Sequence, residues 1–178
     1  MLWVRLLAEF IVRRARFDDL GKVIEINRKC LPENYPEWFF RDHLVNWGEA
    51  FLVAEVNGEV VGYVMCRVEF GLGITVKGLV RRGHVISLAV LPEHRRKGIA
   101  TALMKEALKA LKEKYGCKEV YLEVRVSNLP AIRLYEKLGF KRVKVIPMYY
   151  ADGEDAYLMA RSLEDFSSFR SFTHDLRL

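Results

Sequence analysis

The residues best suited to chemistry cluster between Val85 and Met104, VISLAVLPEHRRKGIATALM. An apolar strand pattern ends at Val90, Pro92 breaks it, and Arg95, Arg96 and Lys97 lead to Gly98 at the head of a helical pattern. Backbone N–H groups at a helix N-terminus attract anions, and the helix macrodipole adds to that potential. Gly98 removes the side chain where an anion must approach the backbone, Ala100 keeps the turn clear, and Thr101 adds a hydroxyl donor. Charge alone leaves a second reading open, a solvated basic turn that caps a helix. The turn differs from a nucleotide P-loop, because no GK[ST] follows and no GxGxxG is present.

The elements that must position this turn are legible in the pattern. FIVRR (Phe10 to Arg14) reads as a strand, and Asp18 and Asp19 precede a helix ending near Cys30. Pro32 and Pro36 force an irregular loop, LPENYP, before a short helix over Trp38 to Asn46. Phe51 to Val56 and Glu59 to Glu69 flank Asn57-Gly58, a hairpin signal. Gly71, Gly73 and Gly78 suggest a flexible loop from Phe70 to Arg82, and Arg82 to Val90 is the next strand. A long amphipathic helix over Gly98 to Tyr115 ends at Gly116. EVYLEVR (Glu119 to Arg125) alternates as a strand, Leu129 to Leu138 is a helix, and two late strands cover Phe140 to Val145 and Asp155 to Ala160. Strand, long helix, strand implies one parallel crossover; the flanking hairpins are antiparallel. The expected fold is α/β, a single mixed, mostly antiparallel sheet with helices on both faces.

Length and composition agree with one domain. The chain has 178 residues, 51% apolar and 29% charged, with 29 Lys+Arg against 23 Asp+Glu for a net +6. A mild positive field favours anionic partners: a phosphorylated cofactor, nucleic acid or a ribosome surface. The three scattered cysteines, Cys30, Cys66 and Cys117, make no disulfide framework and suit a reduced, cytoplasmic protein. No run is long enough to span a membrane, so no membrane partner is expected. Arg5 interrupts the apolar start, which argues against a signal peptide. Residues 1–9 read as an N-terminal arm or strand extension, 10–163 as the domain, and 164–178 as a C-terminal tail.

Arg95-x-x-Gly98-x-Ala100 is similar to the [Q/R]xxGx[G/A] motif of the GNAT superfamily of acetyltransferases, where this loop binds the pyrophosphate of acetyl-CoA. Downstream, Asn128-Leu-Pro-Ala131-Ile-Arg-Leu-Tyr135-Glu-Lys-Leu-Gly139-Phe140 matches the NxxAxxxYxxxGF pattern that closes the cofactor site. LPENYP (Leu31 to Pro36) and YYADGEDAYLM (Tyr149 to Met159) resemble the N-terminal acetyltransferases of the NatA catalytic subunit, archaeal relative and bacterial RimI type. The similarity runs from about Phe10 to Leu163, with a 70–82 loop longer than usual.

The resemblance implies acetyl transfer from acetyl-CoA to the α-amino group of proteins or nascent peptides. The amine must be neutral to attack; an α-amine titrates near 8 and lysine near 10.4, so an N-terminal substrate needs only modest base assistance. The cofactor residues implied are Leu88, Ala89 and Val90 at a splayed strand end, with Val90 N–H as oxyanion donor, then Arg95, Arg96, Lys97, Gly98, Ile99, Ala100, Thr101, Asn128, Tyr135, Glu136 and Lys137. Tyr135 is the implied proton donor to the CoA sulfur; Asn128 also reads as a helix N-cap. Glu33, Tyr35, Leu88, Tyr149 and Tyr150 form the implied peptide site, with Glu33 handling the α-amine. His84 and Glu123 have three readings: a base acting through water, two ligands of a divalent metal ion, or a plain hydrogen-bonded pair.

Two other functions compete. A lysine or small-amine acetyltransferase shares the fold, although the two loops narrow the groove to a chain end. A basic RNA- or ribosome-binding module would use Arg81, Arg82, Arg95, Arg96, Lys97 and the lysines of the long helix. Those lysines alternate with Glu106 and Glu113, the pattern of a solvated face. Weak ribosome association and an auxiliary subunit are compatible with the first reading. Ser and Ala starts suit Glu33, and retained Met is the alternative.

Overall fold

The computed structural model describes residues 10–164. The arm at 1–9 and the tail beyond Glu164 lie outside the described residues. In chain order the elements are β1 (Phe10–Arg14), α1 (Leu20–Cys30), α2 (Glu37–Trp47), β2 (Phe51–Val56), β3 (Glu59–Leu72) and β4 (Leu79–Val90). Then come α3 (Ile99–Glu113), β5 (Glu119–Arg125), α4 (Leu129–Lys137), β6 (Lys141–Ile146) and β7 (Ala156–Ser162). The strands form one seven-stranded sheet in the order β1-β2-β3-β4-β5-β7-β6. Every neighbouring pair is antiparallel except β4 and β5, which run parallel on either side of the α3 crossover. The element order and the mixed sheet match the expectation.

Both faces of the central strands are covered, as their continuous runs of buried residues require. On one face α1 and α2 cover Tyr63: Asn27 Nδ2 donates to its hydroxyl at 3.1 Å and Phe40 meets its ring edge-on. On the other face α3 buries Leu103, Met104, Ala107, Leu108 and Leu111 completely. It lies so close that a Cβ at Gly83 would sit 2.6 Å from Leu111 Cδ1. The Asn57-Gly58 turn takes positive φ at both residues, 50° and 80°, as a tight hairpin needs. On β5, Val120, Leu122 and Val124 are buried, while Glu119, Tyr121, Glu123 and Arg125 alternate onto the opposite face.

The long flexible loop expected at Phe70 to Arg82 is a correction. β3 runs on to Leu72 and β4 starts at Leu79, so only residues 73–78 lie between them. Gly73 and Gly78 close this turn through Gly73 N–H to Gly78 O at 2.9 Å. The fully buried Glu119 carboxylate then fastens it, accepting Ile74 N–H (2.8 Å), Thr75 N–H (2.7 Å), the Thr75 hydroxyl (2.8 Å) and Val76 N–H (3.3 Å). The glycines serve turn geometry here, not mobility.

The parallel pair is short. β4 and β5 pair only at Arg82↔Glu119, Gly83↔Val120 and His84↔Tyr121. Beyond His84 the strands part, while β4 stays paired to β3 up to Val90. A bulge at Ile86, between Cys66↔Val85 and Met65↔Ser87, bends β4 where the gap opens.

Candidate active site

The gap between β4 and β5 is the inner wall of a cleft of about 1110 Å³. Backbone pairing decides what β4 offers to it. Leu91 N–H bonds Val61 O at 2.9 Å, so Gly62↔Val90 is a non-hydrogen-bonded pair of the ladder. The Val90 N–H therefore points away from β3, into the gap, and by the alternation so does that of Leu88. The Val90 carbonyl points the same way, accepting Arg95 Nε at 2.9 Å and lying 3.7 Å from Cys30 Sγ. Ala89 differs: it faces Tyr63 as the hydrogen-bonded pair, so its backbone groups are engaged with β3, although the residue lines the cleft. Gly62, which sequence reasoning passed over, sits behind this strand end. A Cβ there would lie 2.9 Å from Ala89 O.

At the outer end the basic turn enters α3. Arg96 and Gly98 take left-handed φ of 63° and 82°. Ala102 N–H is the first to bond back, to Gly98 O at 3.0 Å, which leaves the N–H groups of Ile99, Ala100 and Thr101 ahead of the helical ladder. Arg95, Arg96, Gly98, Ile99, Ala100 and Thr101 line the cleft. Lys97 does not; its ammonium turns back to Glu93 O at 3.2 Å. Across the cleft, Asn128 Oδ1 caps α4 by accepting Ala131 N–H at 3.3 Å, and Asn128, Tyr135 and Lys137 line the wall. Glu136 is not part of it, being paired with Arg142 Nη2 at 2.9 Å. Burial holds the Tyr135 phenol well above its ordinary pKa, so it stays protonated. A long cleft with an anion-binding helix start at one end and free strand N–H groups in the middle fits the diphosphate and amide-bearing arm of acetyl-CoA.

At the inner end, Arg125 joins the two substrate loops. Its guanidinium contacts Glu33 at 2.5 Å, Asp152 at 2.7 Å and Glu154 at 2.7 Å, and it stacks 4.1 Å from the Tyr150 ring centroid. Glu33 is thus a half-buried, ion-paired carboxylate. Glu154 is held in turn by Ser127 N–H at 3.0 Å. Tyr35 stacks on Phe39 at 4.5 Å, and Tyr149 meets Tyr150 edge-on at 5.0 Å. Burial raises the pKa of all three tyrosines, so they present neutral hydroxyls to the cleft.

Between these ends stands His84, 8% exposed and stacked on Tyr121 at 4.2 Å. Its Nε2 lies 2.6 Å from Glu123 Oε2 and its Nδ1 lies 3.2 Å from Glu69 Oε1. An ionised carboxylate only accepts, so two such contacts need a proton on each ring nitrogen, or a proton on one of the acids. With both nitrogens engaged in this way, the imidazole ring has no lone pair free for an ion. Among the described residues no group of three or more His, Cys, Asp or Glu could hold a metal, so the metal reading is set aside.

Sequence reasoning missed Arg125 and Glu69. The alternation EVYLEVR carried a signal for the first, since it puts Tyr121, Glu123 and Arg125 on one face of an inner strand. Glu69 needed the register Arg67↔His84, which only the extended β3–β4 hairpin supplies.

Comparison with known proteins agrees with this geometry. Residues 20–140 match the model of the acetyltransferase (GNAT) family. The chain is 59% identical over 157 residues to an N-alpha-acetyltransferase of Saccharolobus solfataricus, covering 87% of this chain and 94% of that one. It is 43% identical to the N-terminal acetyltransferase A complex catalytic subunit NAA10 of Arabidopsis thaliana, covering 86% and 78%. Among solved structures, Arabidopsis thaliana Naa50 in complex with a bisubstrate analogue, CoA-Ac-MVNAL, superposes with a TM-score of 0.74 at 27% identity, covering 86% and 98%. A family model that matches most of the described residues, with relatives of this identity and coverage, fixes the fold, and the chain belongs to the GNAT acetyltransferase family.

Proposed function

We propose that this protein transfers an acetyl group from acetyl-CoA to the N-terminal α-amino group of proteins or nascent peptides. The observation that carries the reading is the cleft itself: one wall presents free Leu88 and Val90 N–H groups, and beside them stand His84–Glu123 and Glu33–Arg125. The names of the relatives point the same way.

The residues divide the work by position. N–H groups of Ile99 to Thr101, with Arg95 and Arg96, hold the diphosphate. Leu88 and Val90 fix the amide-bearing arm, and Val90 N–H stabilises the negative charge developing on the acetyl oxygen. The amine is placed by Glu33, Tyr35, Tyr149 and Tyr150. As its nitrogen bonds to the acetyl carbon, its proton passes through water to the Glu123–His84 pair. The carbon–sulfur bond breaks, and the Tyr135 hydroxyl gives the sulfur its proton.

Finer points belong to the same proposal. Glu33 is held by Arg125, which makes a compact acidic end suited to small first residues such as Ser or Ala; starts with retained Met are the alternative. An auxiliary subunit and weak ribosome attraction suit the basic surface. No described helix is long and apolar enough to cross a membrane, and a cytoplasmic site of action fits the free cysteines.

The test is acetyl transfer from labelled acetyl-CoA to peptides starting Ser, Ala, Met-Leu and Met-Glu, beside an N-blocked peptide with an internal lysine. Label on the free α-amines alone supports the proposal and ranks the starts. Label on the blocked peptide moves the function to lysine.

A further inference from the structure

We propose that Glu69 is a positioning residue for proton removal from the substrate amine: it holds His84 by Nδ1 so that Nε2 faces Glu123, and it shares the charge the ring takes up. This rests on the acetyl-transfer reading and deepens it.

Glu69 lies near the end of β3, where a loose surface acid would be ordinary. It is instead held from several sides. Oε1 accepts Arg67 Nε at 2.6 Å and lies 3.2 Å from His84 Nδ1. Oε2 accepts the Tyr121 hydroxyl and lies 3.5 Å from Arg82 Nη2. Burial pushes its carboxyl up, but hydrogen bonds from Tyr121, His84 and Arg67 and the charge of His84 outweigh it and hold it below the usual carboxylate range. Arg67, His84 and Glu123 line the cleft, whereas Glu69 and Tyr121 stand behind them. Glu69 therefore touches the ring and not the substrate. A carboxylate behind an imidazole fixes its tautomer and orientation and stabilises its protonated form.

The proton path balances. The attacking nitrogen loses one proton as the N–C bond forms, and water carries it to the other carboxylate oxygen of Glu123, while the proton already held between Glu123 and Nε2 moves onto the ring. The ring then holds protons on both nitrogens, and Glu69 faces the one on Nδ1. The titratable and charged groups around the ring are Glu69 and Arg67 from β3, Arg82 from β4, Glu123 and the neutral Tyr121 from β5, and the more distant His43 from α2.

The experiment is the pH profile of kcat/KM for Glu69→Gln, which keeps the shape and removes the charge. A negative neighbour favours the protonated relay, so its loss moves the acid limb of the profile to lower pH, by about one unit. The kcat at neutral pH falls about tenfold, since general-base assistance as a whole contributes about 10²–10⁴-fold. Acetyl-CoA affinity stays unchanged, which separates positioning from a structural defect. An unmoved limb with kcat within twofold overturns the proposal. Glu123→Gln is run beside it: a large loss there with none for Glu69→Gln refutes only the role of Glu69, while no loss in either refutes the base reading itself. If the variant does not fold, ¹⁵N shifts of the His84 ring in the native protein decide. Nδ1 protonated throughout the titration of Nε2 is expected, and the opposite tautomer overturns the proposal.

Discussion

Replacing Gly62 with alanine perturbs the active site from behind without touching a reacting group. The added Cβ would stand 2.9 Å from Ala89 O, 3.0 Å from Val90 Cγ2 and 3.4 Å from Val90 Cα. Ordinary contact with the carbonyl requires a retreat of about half an ångström, and β4 can only yield toward the gap that β5 leaves open. Overpacking of this kind costs about 1–3 kcal/mol, partly offset by about 0.5–1 kcal/mol because alanine loses less chain entropy than glycine. At roughly 2–4 °C per kcal/mol for a chain of this size, the net cost of about 0.5–2 kcal/mol lowers the melting temperature by about 1–8 °C. The catalytic effect is larger in proportion. A misplacement of about 1 Å costs about 10²-fold, so half of that at Val90 N–H lowers kcat about tenfold. Steady-state kinetics and a thermal melt measure both. Gly21→Ala is the control: nothing lies within 4 Å of its Cβ, and within a helix it gains up to about 1 kcal/mol. If Gly62→Ala keeps kcat within twofold and melts like the parent, the argument that Gly62 sets the position of Val90 fails.

Other outcomes follow from the same contacts. Glu119→Ala leaves the N–H groups of Ile74, Thr75 and Val76 without their carboxylate; at about 1–3 kcal/mol for a lost buried partner, calorimetry should show a melting point lower by about 2–12 °C, with kcat at 25 °C unchanged. Arg125→Ala leaves Glu33, Asp152 and Glu154 facing one another, so peptide KM should rise about tenfold while acetyl-CoA affinity holds; an unchanged peptide KM would refute the clamp. The Arg13 guanidinium holds the Asp19 carboxyl below its ordinary value despite burial. That stability is present above the unfolded carboxyl's pKa, near 3.9, and disappears as pH falls through the folded value, so acid unfolding of Arg13→Met should lack this component.

The fold was legible because its elements carry local signals: Asn57-Gly58 for the hairpin, Gly98 and Gly116 at the ends of α3, and strict alternation in β5. The cofactor turn was legible for the same reason, being a contiguous strand, basic loop and helix start. What stayed hidden depends on register. Arg125 was seen as a strand residue, but its reach to Glu33 and to Asp152 joins positions far apart in the chain. Glu69 becomes a partner of His84 only once β3 continues past it and fixes its place opposite Arg82. The 73–78 turn was read as mobile because glycines speak for freedom in a sequence, whereas the buried Glu119 that restrains it is distant in sequence. Lys97 and Glu136 sit inside motifs yet point away from the cleft, since a motif fixes spacing and leaves side-chain direction to local partners.

The central claim is that this cleft delivers an acetyl group to a chain end. It is tested most directly on one peptide that begins with serine and carries an internal lysine, incubated with the protein and acetyl-CoA, with the modified nitrogen located by fragmentation mass spectrometry. Acetyl is expected on the α-nitrogen alone, with transfer abolished by blocking that amine. Acetyl on the lysine side chain, or no transfer while acetyl-CoA binds, would contradict it.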